Sequence, residues 1–193
     1  MVVLIAIYLI VLLTSRNLAT SNNDEKVIGG YIDSIENVPY TVSLNDKHVG
    51  HFCSGTLVSN IWIVTAAHCV WGWGTAEKTN QRLKSAMVGI LKRSICTDKM
   101  APEYVTQNMV CAGGQEKDAC HDDSGGPMVC NGLLVGVVSW GYGCATLHKP
   151  GVYAYIPAMW DFIASHVEMN TSYKYNNDRL LDLSKTKGEL INL

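Results

Sequence analysis

No stretch of this chain is basic enough to grip nucleic acid: Lys and Arg number 15 against 17 Asp and Glu, and charged residues make up 17% of the 193. A polyanionic ligand is thereby set aside. Nor is there an apolar run long enough to cross a bilayer, which takes about 20 residues. Residues 2–13 are apolar except for Tyr8, a run of 12 that suits the core of a secretory leader. Ala19 and Ser21 supply small residues for cleavage near Ser21. The leader is therefore assigned to residues 1–21, and the processed chain is expected to be extracellular and off the membrane. No Lys or Arg precedes the apolar run, which leaves an uncleaved anchor as the alternative. A metal set is lacking too. His48 and His51 are three apart in a strand and turn region with no third ligand in sight, so they read as surface or structural residues, and no metal or other cofactor is expected.

Cysteine is plentiful. Seven in an exported chain imply disulfides with one residue left over, and spacing alone does not pair them. A length of 193 allows one domain or a small two-barrel unit. Short β-branched or aromatic runs at Tyr40–Leu44, Phe52–Val58, Ile61–Val64, Ala86–Leu91, Met109–Ala112, Pro127–Cys130, Leu133–Trp140 and Gly151–Ile156 predict strands. Trp160, Ile163, Ala164 and Val167 recur at helical spacing and predict a terminal helix over 158–168, packed on the body.

Two short motifs carry chemistry: Thr65-Ala66-Ala67-His68-Cys69 and Asp123-Ser124-Gly125-Gly126-Pro127. A serine hydroxyl is a poor nucleophile until an imidazole takes its proton. The imidazole in turn needs a buried carboxylate to fix its tautomer and stabilise its charged form. In isolation each motif would be better read as a core histidine and a turn serine; together they point to a hydrolase.

With Val27-Ile28-Gly29-Gly30, Val138-Ser139-Trp140-Gly141 and Lys149-Pro150-Gly151-Val152-Tyr153, these motifs resemble, in order, those of the trypsin-like (chymotrypsin-fold) serine endopeptidases. The resemblance runs from Val27 to about Asn170. It implies an all-β double barrel with a C-terminal helix, His68 as general base and Ser124 as nucleophile. The oxyanion hole would come from the backbone N–H groups of Asp122 and Ser124. Asp118, with Ser139, Gly141 and Gly151 around it, would form a pocket for Lys or Arg side chains. It further implies the pairs Cys53 with Cys69, Cys96 with Cys111 and Cys120 with Cys144. Cys130 is then the odd cysteine, because its usual partner would fall near Ser85, where there is no thiol. Residues 22–26 resemble an activation peptide. Cutting after Lys26 would release an amine on Val27 that pairs with Asp123 and orders the pocket. Protein or peptide substrates with Lys or Arg, protein protease inhibitors as partners, and a monomeric state follow from the same resemblance.

Two departures stand out. After Val70 the resemblance jumps to Gly72-Trp73-Gly74-Thr75, which is similar to the strand opening the second barrel (71–157), so the first barrel (27–70) is expected to be truncated. The acid that should orient His68 goes with the missing part. Glu77, Asp98, Glu103 and Glu116 fall in segments that resemble surface loops, while Asp118, Asp122 and Asp123 have other posts. Aspartate also stands at 122, where the family has glycine. The expectation is a secreted, zymogen-activated endopeptidase with strongly reduced activity. The alternatives are a non-catalytic homologue that binds proteins or inhibitors, or a non-functional truncated form. The polar tail 171–193 reads as exposed, and Asn170-Thr171-Ser172 forms a glycosylation sequon.

Overall fold

The structure, a computed structural model, describes residues 2–6, 27–48, 50–70, 82–114, 116–167 and 191–192. Most of the expected leader, the activation peptide with Lys26, Trp71 after the expected join, and 168–190 with Asn170 lie outside the described residues; of the tail 171–193, expected to be exposed, Ile191–Asn192 instead forms a strand, with Ile191 opposite Val88 and Asn192 opposite Val129.

The chain forms mostly strands. β1 (Val2–Ala6), β5 (Trp62–Ala66), β4 (Gly50–Leu57) and β3 (Thr41–Asp46) make a four-stranded sheet in that spatial order. A six-stranded sheet holds β7 (Met87–Val88), β12 (Ile191–Asn192), β9 (Pro127–Cys130), β10 (Leu133–Trp140), β11 (Gly151–Tyr155) and β8 (Met109–Ala112). β2 (Tyr31–Ile32) pairs with β6 (Lys84–Ser85). The helices are short: α1 (Ala67–Val70), α2 (Arg93–Met100), a 3₁₀ turn at Ile156–Met159 and α3 (Trp160–Ala164). This is the all-β, chymotrypsin-like class with a short C-terminal helix.

The two large sheets are held together by one core. Val64 and Ala66 of β5 meet Val137 of β10, Ala154 and Ile156, and the Cys53–Cys69 disulfide sits among them. Ile163 and Val167, four apart, cover this cluster at 2% and 3% exposure, which is why their helical spacing was informative. Along β10, Val135, Gly136, Val137 and Val138 are all buried, so both faces of that strand are covered. A second cluster surrounds Met128, which is fully buried with Val88, Val110, Val135 and Tyr153. Met128→Ala should cost about 2–5 kcal/mol through lost contacts and the cavity left behind. Denaturant unfolding with an unchanged midpoint would contradict this packing.

Besides β12, three elements differ from the sequence expectation. The run 86–91 contributes a strand only at Met87–Val88, with Ile90 bridging Ala112 beyond Gly89. Helix α2 has no strong apolar stripe to announce it; only Cys96 and Met100 of its residues are buried. It is fixed instead by tertiary bonds, the Cys96–Cys111 disulfide and the Arg93 guanidinium donating to the carbonyls of Thr106, Gln107 and Met109 at 2.8, 3.2 and 3.0 Å. The third is β1: the start of the expected leader lies antiparallel along β5, with Val2 opposite Ala66 and Ala6 opposite Trp62. Among the described residues no helix is long and apolar enough to cross a membrane.

Candidate active site

β5 runs directly into α1, so the strand that fills the core also delivers His68. The turn is pinned from the next position, because Cys69 is bonded to Cys53 on β4. Ser124 arrives from the other sheet. Its carbonyl accepts the N–H of Ser54, the residue after Cys53, at 2.8 Å, and Gly125 N–H donates to the carbonyl of Val138 on β10 at 2.8 Å. The nucleophile loop is thus stitched to both sheets within one residue on either side. Gly125 has φ 84, and a Cβ there would fall on Thr65 Oγ1 and Ser54 O, so only glycine lets the loop approach β4 so closely.

His68 and Ser124 line one cleft of about 430 Å³ together with Asp118, Asp122, Ser139, Gly141 and Gly151. Burial holds the imidazole of His68 below its ordinary pKa, so it stays neutral, and able to accept a proton, further into the acid range. Among the described residues the ring makes no hydrogen bond to a carboxylate.

The floor of the cleft is Asp118, 3% exposed. Its Oδ2 accepts the N–H of Ala145 at 3.0 Å, while Oδ1 has no hydrogen-bond partner among the described residues. A Cβ on Gly151 would stand 2.8 Å from that Oδ1, so glycine leaves the carboxylate open to the cleft. The Tyr153 hydroxyl is also buried without a partner among the described residues, and burial pushes the phenol well up. Burial raises Asp118 to about 6 against the opposing bonds from the backbone N–H groups of Ala145 and Ala119. A buried acceptor with nothing to accept is costly, and a cationic donor in the cleft would satisfy it. The neutral acid offers no charge to a cation, so binding selects the carboxylate. Affinity for a small amidinium should therefore be level above pH about 7 and weaken below about 6, approaching tenfold per pH unit. Calorimetric titration across that range tests this; constant affinity down to pH about 4 would contradict it.

Asp123 faces away from the cleft. Its Oδ2 accepts the N–H of Val27 at 2.9 Å and that of Cys120 at 2.8 Å. Val27 is 6% exposed. The neighbouring Ile28 exchanges backbone bonds with Asp118, Ile28 N–H to Asp118 O at 2.8 Å and Asp118 N–H to Ile28 O at 3.3 Å. The segment after Lys26 is thus tied to both the nucleophile loop and the pocket floor.

Asp122 adopts φ 68, a left-handed conformation that aspartate tolerates better than most residues. A histidine braces it. His51 Nε2 donates to the carbonyl of Asp122 at 3.2 Å, and Ser43 Oγ donates to His51 Nδ1 at 2.7 Å. The sequence pattern places His51 among surface or structural residues. Its only signal was its place two residues before Cys53 on the strand that receives the nucleophile loop.

Disulfides join Cys53 to Cys69, Cys96 to Cys111 and Cys120 to Cys144. Cys130 is buried in the Met128 cluster, outside all three. In the close groups Cys53, His68, Cys69 and Cys120, His121, Cys144 both cysteines are disulfide-bonded and offer no thiolate to a metal, which leaves one histidine in each.

An all-β fold with a serine and a histidine facing one cleft over a buried carboxylate is the arrangement of the chymotrypsin-like serine hydrolases. The Trypsin family profile matches residues 27–72 and 69–163. Among curated relatives, anionic trypsin of Canis lupus familiaris is 31% identical over 233 aligned positions, covering 78% of this chain and 93% of that protein. Trypsin of Sus scrofa is 28% identical, covering 78% and 99%. Trypsin-2 of Salmo salar is 31% identical, covering 76% and 97%. This chain belongs to the trypsin family of serine proteases, whose members act on proteins and are bound by protease inhibitors.

Proposed function

We propose that this protein is a secreted, zymogen-activated endopeptidase that attacks peptide bonds after Lys or Arg through an acyl-enzyme on Ser124, and that it does so slowly. The observation that carries the specificity is the partnerless Oδ1 of Asp118 at the floor of a cleft that His68 and Ser124 also line. A buried carboxylate aimed at a substrate cleft favours a long cationic side chain, and guanidinium or ammonium donors match it.

Activation follows from Val27. Its N–H already rests on Asp123. Cutting after Lys26 turns that amide into an ammonium in the same place, replacing a hydrogen bond from a neutral donor by a partly buried ion pair. Export through residues 1–21 and action as a monomer complete the proposal.

Slowness follows from the missing acid. The family match in two pieces, 27–72 and 69–163, agrees with a proposed deletion near the Val70–Trp71 join, and His68 makes no hydrogen bond to a carboxylate among the described residues. In enzymes of this type, changing the acid to its amide lowers turnover about 10⁴-fold. The oxyanion site is also altered, since a carboxylate at Asp122 opposes a developing negative charge. These same two features favour the second reading, a non-catalytic homologue whose pocket binds basic side chains or inhibitors without cutting.

Reaction with a fluorophosphonate separates the two readings. Protein starting at Val27 should gain one phosphonyl group, lose that gain in Ser124→Ala, and be protected by a small amidinium. Protection without any labelling would establish binding alone. Neither labelling nor amidinium binding in folded protein would overturn the proposal.

A further inference from the structure

Strand β5 is bordered on one side by β4 and on the other by β1. With β4 it shares two registered pairs, Thr56 with Val64 and Leu57 with Ile63. With β1 it shares five, from Val2 opposite Ala66 to Ala6 opposite Trp62. The greater part of its ladder is therefore contributed by the extreme amino terminus. The residues it orders are core residues: Ile63, Val64, Thr65 and Ala66 are all at most 2% exposed. Without β1, the outer edge of β5 would present a row of N–H and C=O groups with no ladder partner, which is both costly and adhesive. The segment that covers it, Val-Val-Leu-Ile-Ala, carries no charge and is rich in β-branched residues, the composition that suits a paired strand.

The geometry points to a strand-acceptor site on the outer edge of β5, filled in the full chain by Val2–Ala6 as an intramolecular strand. The apolar amino terminus then has a structural role in addition to the export role proposed above. That role bears on the chemistry, because β5 passes without interruption into α1, where His68 sits two residues beyond Ala66. The site recognises main-chain ladder groups and tolerates any extended apolar segment of this length, as strand addition generally does. Removal of the leader opens the edge.

Hydrogen exchange tests this without reference to protease activity, so its outcome is independent of the proposed function. In the full chain, the amides of 63–66 should exchange slowly. A Val3→Pro, Leu4→Pro double variant removes one ladder donor whichever of the two residues points at β5, and should speed exchange there at least about tenfold while amides of β10 stay protected. If the variant loses protection in β10 as well, protein starting at Val27 is titrated with a lysine-flanked peptide of Val2–Ala6. Saturable slowing confined to β5 supports the site. Unchanged exchange at 63–66 in the folded double variant, or no response to the peptide, overturns it.

Discussion

Ser124→Ala should lower the hydrolysis of an arginyl ester by only about 10²-fold. In a serine protease with a complete triad, losing the serine costs about 10⁶ in turnover and losing the acid alone about 10⁴ to 10⁵. The losses do not multiply, since serine, base and acid act as one unit and the residual rate comes from binding and the oxyanion site. If no acid orients His68, as proposed, this chain has already descended most of that ladder, so the last step is short. Steady-state kinetics of the two proteins, each starting at Val27, measure it. A drop of about 10⁶ would mean that a carboxylate does support His68.

Asp123→Ala should be the other large effect, and it should appear in binding before chemistry. The carboxylate receives Val27 and Cys120 together, and after cleavage the former carries a positive charge. Breaking a fully buried pair costs about 3–5 kcal/mol, because the remaining charge is left without its counterpart, and this partly buried pair falls at the low end. Part of that cost falls on the conformation that binds substrate, since Val27 continues into Ile28 and Ile28 is bonded to Asp118. If the competent state becomes a minor one, apparent affinity falls by the fraction lost. Amidinium affinity should weaken by about 10² to 10³, with the loss concentrated in protein cut after Lys26 and small in the uncut chain. Equal losses in both forms would show that the new ammonium does not use Asp123.

The parts that could be read from the sequence were those whose reason is local. Gly125 is where the backbone must pass over Thr65 and Ser54, Gly151 is where a Cβ would crowd Asp118, and Val167, though past the end of α3 at Ala164 and so short of the expected helix 158–168, lies one turn from Ile163 and donates its N–H to the Ile163 carbonyl at 3.0 Å. Such constraints leave a mark at the residue itself. What stayed illegible is long-range. His51 matters through a carbonyl 71 positions away, and Arg93 holds α2 by reaching carbonyls at 106, 107 and 109. Neither interaction restricts the identity of its immediate neighbours. β1 was read by its length and position as a leader core, and its pairing with β5 depends on an edge that no local pattern announces.

Asp122 holds a left-handed backbone whose carbonyl His51 braces, and it brings a carboxyl group to a position where the family has glycine. Asp122→Gly keeps the conformation and removes the repulsion, so turnover should rise by about tenfold, below the about 10² to 10³ associated with a whole oxyanion donor. An unchanged kcat would place the Asp122 carboxylate away from the developing charge.

The most direct test of the central claim, a base without its orienting acid, is the kcat for an arginyl amide measured on purified protein beginning at Val27, beside an intact trypsin under the same conditions. The account predicts a Ser124-dependent rate about 10⁴-fold lower with amidinium binding retained. A rate equal to that of the intact enzyme would contradict it.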